Sequence, residues 1–161
     1  MPTVSHSVTV DAAPETVWTF VSDMERIPEW VVLTDEMRHY DEGEMREGFE
    51  YVEYGGIGPI RGESEWVVVE CDPPRRQVHV GDLGVTEPRL TIDVEPTADG
   101  GSRWTQTVEF EMFPRFRPLG RLVETLYARR AMDRQLRRTM ETGRVQVDRY
   151  ARAEGESAPT V

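Results

Sequence analysis

The stretch VTVDAAPETVW, residues 8–18, decides the fold. Apolar and polar side chains alternate from Thr3 up to Val10, which is typical of a half-buried strand. Asp11 ends this alternation. Pro14 then suits the first turn of a helix, where its missing N–H costs nothing, and Glu15 follows near the positive end of the helix dipole. The stretch therefore predicts a strand followed directly by a short amphipathic helix.

A second short helix is predicted just downstream, within SDMERIPEW, residues 22–30. Asp23 can cap this helix, because a carboxylate accepts hydrogen bonds from the free N–H groups of a first turn. Ile27, Pro28 and Trp30 belong to it, and the proline either bends the helix or sets its boundary. The two helices form a predicted helical hairpin.

An antiparallel meander of six strands is predicted from about residue 35 to residue 113. Side chains there alternate with period two, and turn signals recur every eight to twelve residues. Two of these strands, the sixth and seventh of the chain, have one clearly apolar face, which we expect to point inward. The inward residues of the sixth are Leu90, Ile92 and Val94, and those of the seventh are Trp104, Gln106, Val108, Phe110 and Met112.

The facing of the other strands is less marked. The fourth strand is apolar on both sides, and Trp66 and Val68 are predicted to point inward because Glu65 suits solvent. His79, between two valines, is predicted to point to solvent. For the second and third strands, the sequence does not show which face points inward. The glycine-rich segment 55–59 resembles a phosphate loop, but no helix follows it, so a hairpin is predicted.

A long helix is predicted after Pro118 and Gly120, from Arg121 to about Tyr150. Thirty helical residues span about 45 Å at ~1.5 Å per residue. The apolar stripe weakens between Arg129 and Asp133. Residues 153–161 are small and polar and are predicted to form a flexible tail, which leaves residues 1–152 as one domain. The stripe consists of Leu119, Leu122, Val123, Leu126, Leu136, Met140 and Val147.

Composition limits the class of protein. The 161 residues suit a single domain, and 38 % hydrophobic residues can form one core. No apolar run approaches the ~20 residues of a membrane-spanning helix, and no signal peptide is recognisable, so a cytoplasmic protein without membrane insertion is expected. The single cysteine, Cys71, and three scattered histidines predict neither a disulfide nor a metal site, and no cofactor is expected.

The charge is strongly negative and unevenly distributed. The net charge is −11, and all 19 basic residues are arginine. Such a surface suits a salt-rich cytoplasm, and either a halophilic source or a GC-rich genome would favour it. Residues 115–152 are the exception, with 11 arginines and four acids. Pairing of these arginines with nearby acids is expected, which argues against a nucleic-acid partner.

The order of elements, together with residues 8–18 and 22–30, resembles the START-like helix-grip (SRPBCC) superfamily, in its polyketide cyclase/dehydrase and lipid-transport branch. The resemblance covers about residues 3–150. It implies an α+β helix-grip fold, in which a curved seven-stranded antiparallel sheet wraps around the long C-terminal helix and two short helices lie between strands 1 and 2. It also implies a hydrophobic ligand in a cavity between sheet and helix, and it carries over no catalytic residue.

Candidate site residues follow from this arrangement. His6 and Gln106 become neighbours if the first and seventh strands pair, and they are either satisfied within the core or orient a ligand. His6 is the one catalytic candidate. Arg129 or Asp133 would meet a ligand head group. The apolar candidates, for which core packing is an equal alternative, are Trp66, Val68, Leu90, Ile92, Trp104, Val108, Phe110 and Leu126.

Three functions remain open at this point. The favoured one is the binding of a small hydrophobic or amphipathic molecule, lipid-, polyketide- or isoprenoid-like, by a monomer or weak homodimer. The second is an enzyme of the polyketide cyclase, dehydratase or aromatase type that uses the same cavity. The third is a macromolecular interaction module that works through the basic C-terminal helix.

Overall fold

A computed structural model describes residues 2–84, 86–110 and 118–157, with the side chains of residues 118–125 left aside. These ranges contain seven strands, one long helix, two short helices and a 3₁₀ turn. The helices are α1 (Pro14–Val21), α2 (Ile27–Trp30) and α3 (Pro118–Ser157), and the 3₁₀ turn is Met24–Arg26. The strands are β1 (Thr3–Val10), β2 (Thr34–Tyr40), β3 (Glu50–Ile57), β4 (Ile60–Asp72), β5 (Arg76–Asp82), β6 (Arg89–Pro96) and β7 (Ser102–Glu109).

The sheet has the order β1-β7-β6-β5-β4-β3-β2, and all neighbours are antiparallel. The meander and the helix-grip architecture predicted from the sequence are confirmed. The first strand pairs with the seventh, and His6 lies directly opposite Gln106. Segment 55–59 forms the β3–β4 hairpin, where Gly58 takes a φ of 57°, a left-handed conformation that favours glycine.

The helical hairpin forms as its sequence predicts. Pro14 opens α1, and Glu15 lies in the first turn. The Asp23 side chain accepts a hydrogen bond from the Glu25 backbone N–H and caps the 3₁₀ turn. Pro28 lies near the start of α2, so it sets the boundary of this helix and does not bend it.

Helix α3 is longer than its predicted thirty residues, since it has 40. It begins at Pro118, because proline suits a first helical turn. It continues through residues 153–157, where the sequence led us to expect a tail, because alanine and glutamate favour a helix and a single Gly155 costs only about 1 kcal/mol. Met112 and the side chains of Leu119, Leu122 and Val123 lie outside the described residues.

The core is densest where α3 crosses the sheet. Trp104 is fully buried and packs edge-on against Trp30 of α2, with the ring centroids 5.1 Å apart. Gly143 of α3 lies directly over the Trp104 ring, so the helix approaches the sheet closely here. Leu136, Met140 and Val147 of α3 belong to the same buried cluster. This contact fixes the distance between helix and sheet at one end of the molecule.

Candidate functional site

The inner face of the sheet, the side on which α3 packs, can be followed through the cross-strand pairs. One row contains His6, Gln106, Ile92 and Gln77, each opposite the next. The neighbouring row contains Val4, Val108, Leu90, His79 and Val68. The face is therefore apolar in its middle, and polar groups lie toward both sides.

His6 joins the sheet to the long helix. Its Nε2 lies 2.9 Å from Oδ1 of Asp133, and the two side chains are 21 % and 44 % exposed. Because a carboxylate only accepts, Nε2 carries the proton of this bond, and Nδ1 keeps a lone pair in the neutral imidazole. The other carboxylate oxygen of Asp133, Oδ2, lies 3.6 Å from Nη2 of Arg137. Asp133 thus contacts His6 directly, whereas the sequence placed it against a ligand head group.

Gln106 is a polar residue in an apolar setting. It is 3 % exposed and lies opposite His6 on one side and Ile92 on the other. Among the described residues, no hydrogen bond to its side-chain amide is found. A buried amide normally has partners, so Gln106 is an exception within the described part of the chain.

Arg129 lies one helical turn before Asp133 and shares a helix stripe with the buried residues Leu136, Met140 and Val147. Arg129 is nevertheless exposed, although the neighbouring Ala128 and Met132 of α3 pack against the buried core cluster. It forms no ion pair within the described part of the chain. Leu126, on the flank of the same turn, is 49 % exposed.

The apolar candidates separate into two groups. Val68, Ile92, Trp104 and Phe110 are at most 3 % exposed and belong to the packed clusters, which is the core alternative. Trp66 and Leu90 are half-buried, and Val108 is buried less completely than the first group. Of the polar candidates, Gln106 is buried, His6 is partly exposed and Arg129 is exposed.

His79 was predicted to point to solvent, and this is wrong. It is buried on the inner face, because it lies opposite Leu90 of β6, and cross-strand partners share a face of the sheet. Its Nδ1 lies 3.0 Å from the Tyr51 hydroxyl, and its Nε2 lies 2.9 Å from Oε1 of Gln77. Burial lowers the pKa of His79 to about 4, so the imidazole is neutral near pH 7.

Two further polar residues of the inner face adjoin His79. Gln77 is fully buried, and its Nε2 donates to Oγ of Ser22, which follows α1. Tyr51 is also buried, and its ring stacks on Trp66 with the centroids 6.1 Å apart. Burial, with Glu53 nearby, raises the pKa of the Tyr51 phenol well above its usual value, so the hydroxyl keeps its proton.

Glu53 completes this side of the face. Its two carboxyl oxygens accept hydrogen bonds from the Trp66 indole N–H at 2.9 Å and the Thr34 hydroxyl at 2.6 Å. Burial raises the pKa of Glu53, and the two hydrogen bonds oppose that rise. The sequence does not show which residues of the second and third strands face inward. In the structure Tyr51 and Glu53 point inward, on the same face as Trp66.

The inward position of Gln77 and His79 was missed because the period-two pattern of β5 points the other way: its apolar residues, Val78 and Val80, lie on the opposite face. Glu53 was missed because the sequence leaves open which face of β3 points inward. One signal could have revealed two of them. The sixth strand has an unambiguous inner face, and once β5 is paired with it, Gln77 and His79 lie opposite its inward residues Ile92 and Leu90.

Comparison with known proteins now identifies the family. The family model described as "Polyketide cyclase / dehydrase and lipid transport" matches residues 1–142. The chain belongs to this polyketide cyclase/dehydrase and lipid transport family. An uncharacterized protein of Mycobacterium tuberculosis is 30 % identical over 121 residues, which cover 74 % of this chain and 84 % of that protein.

Solved structures support the same fold for this family member. The Zhui aromatase/cyclase of Streptomyces sp. R1128 superposes with a TM-score of 0.75 at 16 % identity, covering 95 % of this chain and 97 % of its own. A START superfamily protein of Mycobacterium smegmatis gives a TM-score of 0.71 at 14 % identity, covering 91 % and 97 %. At these identities the likeness establishes the helix-grip fold, and function has to be argued from the site.

The arginines of α3 are partly paired, as expected. Arg137 pairs with Asp133 and Arg144 with Asp148, each four residues apart. Arg134 and Arg138, also exposed, have no carboxylate within 4.0 Å among the described residues. Among the described helices, none is long and apolar enough to cross a membrane.

Two open hollows are found on the described surface. One, of about 520 Å³, lies mainly on the outer face of β3, β4 and β5, where Val52, Val67 and Val80 line it. The other, of about 490 Å³, lies beside Val145 and Arg149 of α3. Neither contains His6, Gln106 or Arg129 in its lining. The cavity between sheet and helix therefore stays a prediction.

Proposed function

We propose that this family member binds a small hydrophobic or amphipathic molecule, of lipid-, polyketide- or isoprenoid-like chemistry, between the inner face of the sheet and α3. The observation that carries the proposal is the exposed Arg129 on the core-facing stripe of α3. Asp133, one turn further, contacts His6, and His6 lies opposite the buried Gln106. An arginine and an amide for which the described part of the chain shows no partner suit the polar end of an amphipathic ligand.

The binding energy would come mainly from the apolar part of the ligand. Leu90, Val108 and Trp66 offer apolar surface on the inner face beyond this polar group. Removal of apolar surface from water contributes ~25 cal/mol per Å², so about 250 Å² of ligand surface is worth about 6 kcal/mol. Arg129 and Gln106 would orient the ligand, and Arg129 would favour a carboxylate or carbonyl oxygen at its polar end.

Binding can be tested on the purified protein. Native mass spectrometry should detect a co-purified small molecule, and cis-parinaric acid, a fluorescent fatty acid, should bind saturably. Arg129→Gln should weaken its affinity about tenfold, the effect of one lost charge-assisted hydrogen bond at a partly exposed site. Arg138→Gln is the matched control, because Arg138 is exposed on the solvent side of the same helix. His6→Ala should weaken binding without abolishing it.

The result that would overturn this proposal is the absence of any co-purified molecule together with non-saturable, variant-independent fluorescence of the fatty acid. A loss of affinity in Arg138→Gln equal to that in Arg129→Gln would also count against it. In that case the general basic charge of α3 attracts the probe, and the inner face does not bind it.

A second candidate function is favoured by the His6–Asp133 pair. Asp133 holds the proton on Nε2 and orients the ring, which leaves Nδ1 to accept a proton from a substrate carbon or hydroxyl. Such a base suits the cyclisation and dehydration of a polyketide-like chain, the activity class that the family description includes. Under this alternative, turnover of a polyketide-like substrate should collapse in His6→Ala while cis-parinaric acid still binds. An absence of turnover in the wild-type protein, with binding of cis-parinaric acid retained, would favour simple carriage.

A further inference from the structure

A chain of hydrogen bonds runs across the inner face from the helical hairpin to the third strand. It joins Ser22, Gln77 on β5, His79 on β5 and Tyr51 on β3. The residues of the sheet in this chain are all buried. Each bond in such a chain uses one donor and one acceptor, so the direction of the first bond determines the direction of the others.

The direction starts at the amide of Gln77. Its Nε2 donates to Oγ of Ser22 at 3.2 Å, so the oxygen Oε1 is the atom that faces His79. An amide oxygen can only accept, and His79 must therefore donate from Nε2. The neutral imidazole then has a lone pair on Nδ1, which accepts the hydroxyl proton of Tyr51 at 3.0 Å. The Tyr51 hydroxyl thus donates its hydrogen bond to the His79 imidazole.

We propose that Tyr51 is a specificity-determining residue of the ligand site, and that its oxygen accepts a hydrogen bond from a hydroxyl group of the ligand. The inference rests on the function proposed above and adds the chemistry of the ligand at the β3 side of the face. With its own proton directed at Nδ1 of His79, the Tyr51 oxygen presents only lone pairs. A ligand hydroxyl is therefore matched there, and a ligand carbonyl or ether oxygen is not.

The surroundings of Tyr51 reinforce this polarity. The Trp66 ring stacks on Tyr51 and packs closely over Gly81, and its half-buried remainder offers apolar surface for the ligand skeleton. The Trp66 N–H, the donor closest to that surface, is directed at Glu53, and the Thr34 hydroxyl also donates to Glu53. The donors of this side are thus already used within the protein, and lone pairs of Tyr51 and Glu53 remain. An unsatisfied ligand acceptor placed here would lose its hydrogen bonds to water without replacement.

The test uses three probes with one aromatic skeleton: 2-naphthol, 2-methoxynaphthalene and 2-acetylnaphthalene. Only 2-naphthol can donate a hydrogen bond. We expect it to bind the wild-type protein about tenfold more tightly than the other two, the ratio that one net hydrogen bond produces. In Tyr51→Phe the ratio should fall close to one. Tyr54→Phe is the control and should keep the ratio, because Tyr54 lies on the outer face under Arg38.

A second variant keeps the inference testable if Tyr51→Phe fails to fold. His79→Leu removes the acceptor of the Tyr51 proton, so the hydroxyl is free to donate. The affinity for 2-acetylnaphthalene should then rise toward that for 2-naphthol. Isothermal titration calorimetry measures all these affinities directly, and circular dichroism verifies that each variant is folded.

The outcomes separate this inference from the proposed function. Binding of all three probes with equal affinity, or a wild-type preference for the ketone or ether, would overturn the role of Tyr51 and leave ligand binding intact. An unchanged ratio in Tyr51→Phe would do the same. If no probe binds and cis-parinaric acid does not bind either, the proposed function fails, and this inference fails with it.

Discussion

Replacement of Gly143 by alanine should reveal how tightly α3 is packed on the sheet. A Cβ atom at this position would lie 2.6 Å from Cη2 and 2.8 Å from Cζ3 of Trp104, and 3.3 Å from Cε3 of Trp30. Ordinary carbon–carbon contacts are about 3.5–4.0 Å. The methyl group therefore requires a displacement of about 1 Å, either of the helix or of the indole.

Two opposing effects set the magnitude. Alanine is favoured over glycine in a helix interior by about 1 kcal/mol. Overpacking of a well-filled core costs typically about 1–3 kcal/mol, and Trp104 cannot move easily because it is fully buried and Trp30 packs against it. The difference is a net loss of up to about 2 kcal/mol, and because Trp104 is held in place we expect Gly143→Ala to lower the free energy of unfolding toward that value.

Gly155→Ala provides a control in the same helix with the opposite sign. No atom lies within 4 Å of a Cβ built at Gly155, so only the propensity changes. Stability should rise by up to about 1 kcal/mol, and by less if the last turns of the helix fray. Urea unfolding followed by tryptophan fluorescence should show the two midpoints shifted in opposite directions with unchanged slopes.

One outcome would refute the reasoning. If Gly143→Ala stabilises the protein as much as Gly155→Ala does, the helix is not in close contact with Trp104. The sheet and α3 would then be further apart than the structure shows, and the contact would not set their separation.

Two more predictions concern the inner face. The unfolding free energy should fall by about 3 kcal/mol as the pH is lowered from above 6.5 to below 4, because His79 takes up a proton near pH 6.5 in the unfolded chain but has a pKa of about 4 when buried. Urea midpoints measured across this range should therefore depend less on pH in His79→Gln than in the wild-type protein. The control His39→Gln changes an exposed residue and should leave the pH dependence unchanged. In Gly81→Ala a Cβ would lie 2.9 Å from the Trp66 ring and displace it, so the free energy of unfolding from urea titration should fall by about 1 kcal/mol and the Trp66 emission should shift. In Gly62→Ala no atom lies within 4 Å of the new Cβ, and neither change is expected.

The sequence was most informative where one residue type has one physical role. Pro14 and Asp23 mark helix starts, and both are found there. The clean alternation of β7 and β1 indicates their inner faces, and the pairing of β1 with β7 follows if the sheet curls around the helix. This reasoning predicts His6 beside Gln106, and the structure pairs them.

Tertiary contacts decided the features that the sequence could not supply. Val78 and His79 are both buried, on opposite faces of β5, so apolarity alone does not tell which face is inner. The burial of His79 depends on Tyr51, 28 residues away, and on Gln77, which together satisfy both ring nitrogens. Asp133 likewise meets His6 across 127 residues, and no local pattern encodes a contact of that range.

Two regions of α3, around Gly143 and around Arg129, differ in how they meet the sheet, and the proposed ligand site depends on that difference. Around Gly143 the absence of a side chain lets the helix backbone approach Trp104, and the core there is solid. Three to four turns earlier, the same helix stripe carries Asp133 and Arg129, whose charged groups cannot be buried without partners. Asp133 is satisfied by His6, which holds the helix near the sheet, while Arg129 stays exposed. A polar stripe on the core side of a helix is costly in a solid protein interior, and it becomes understandable if a ligand head group occupies the space in front of it.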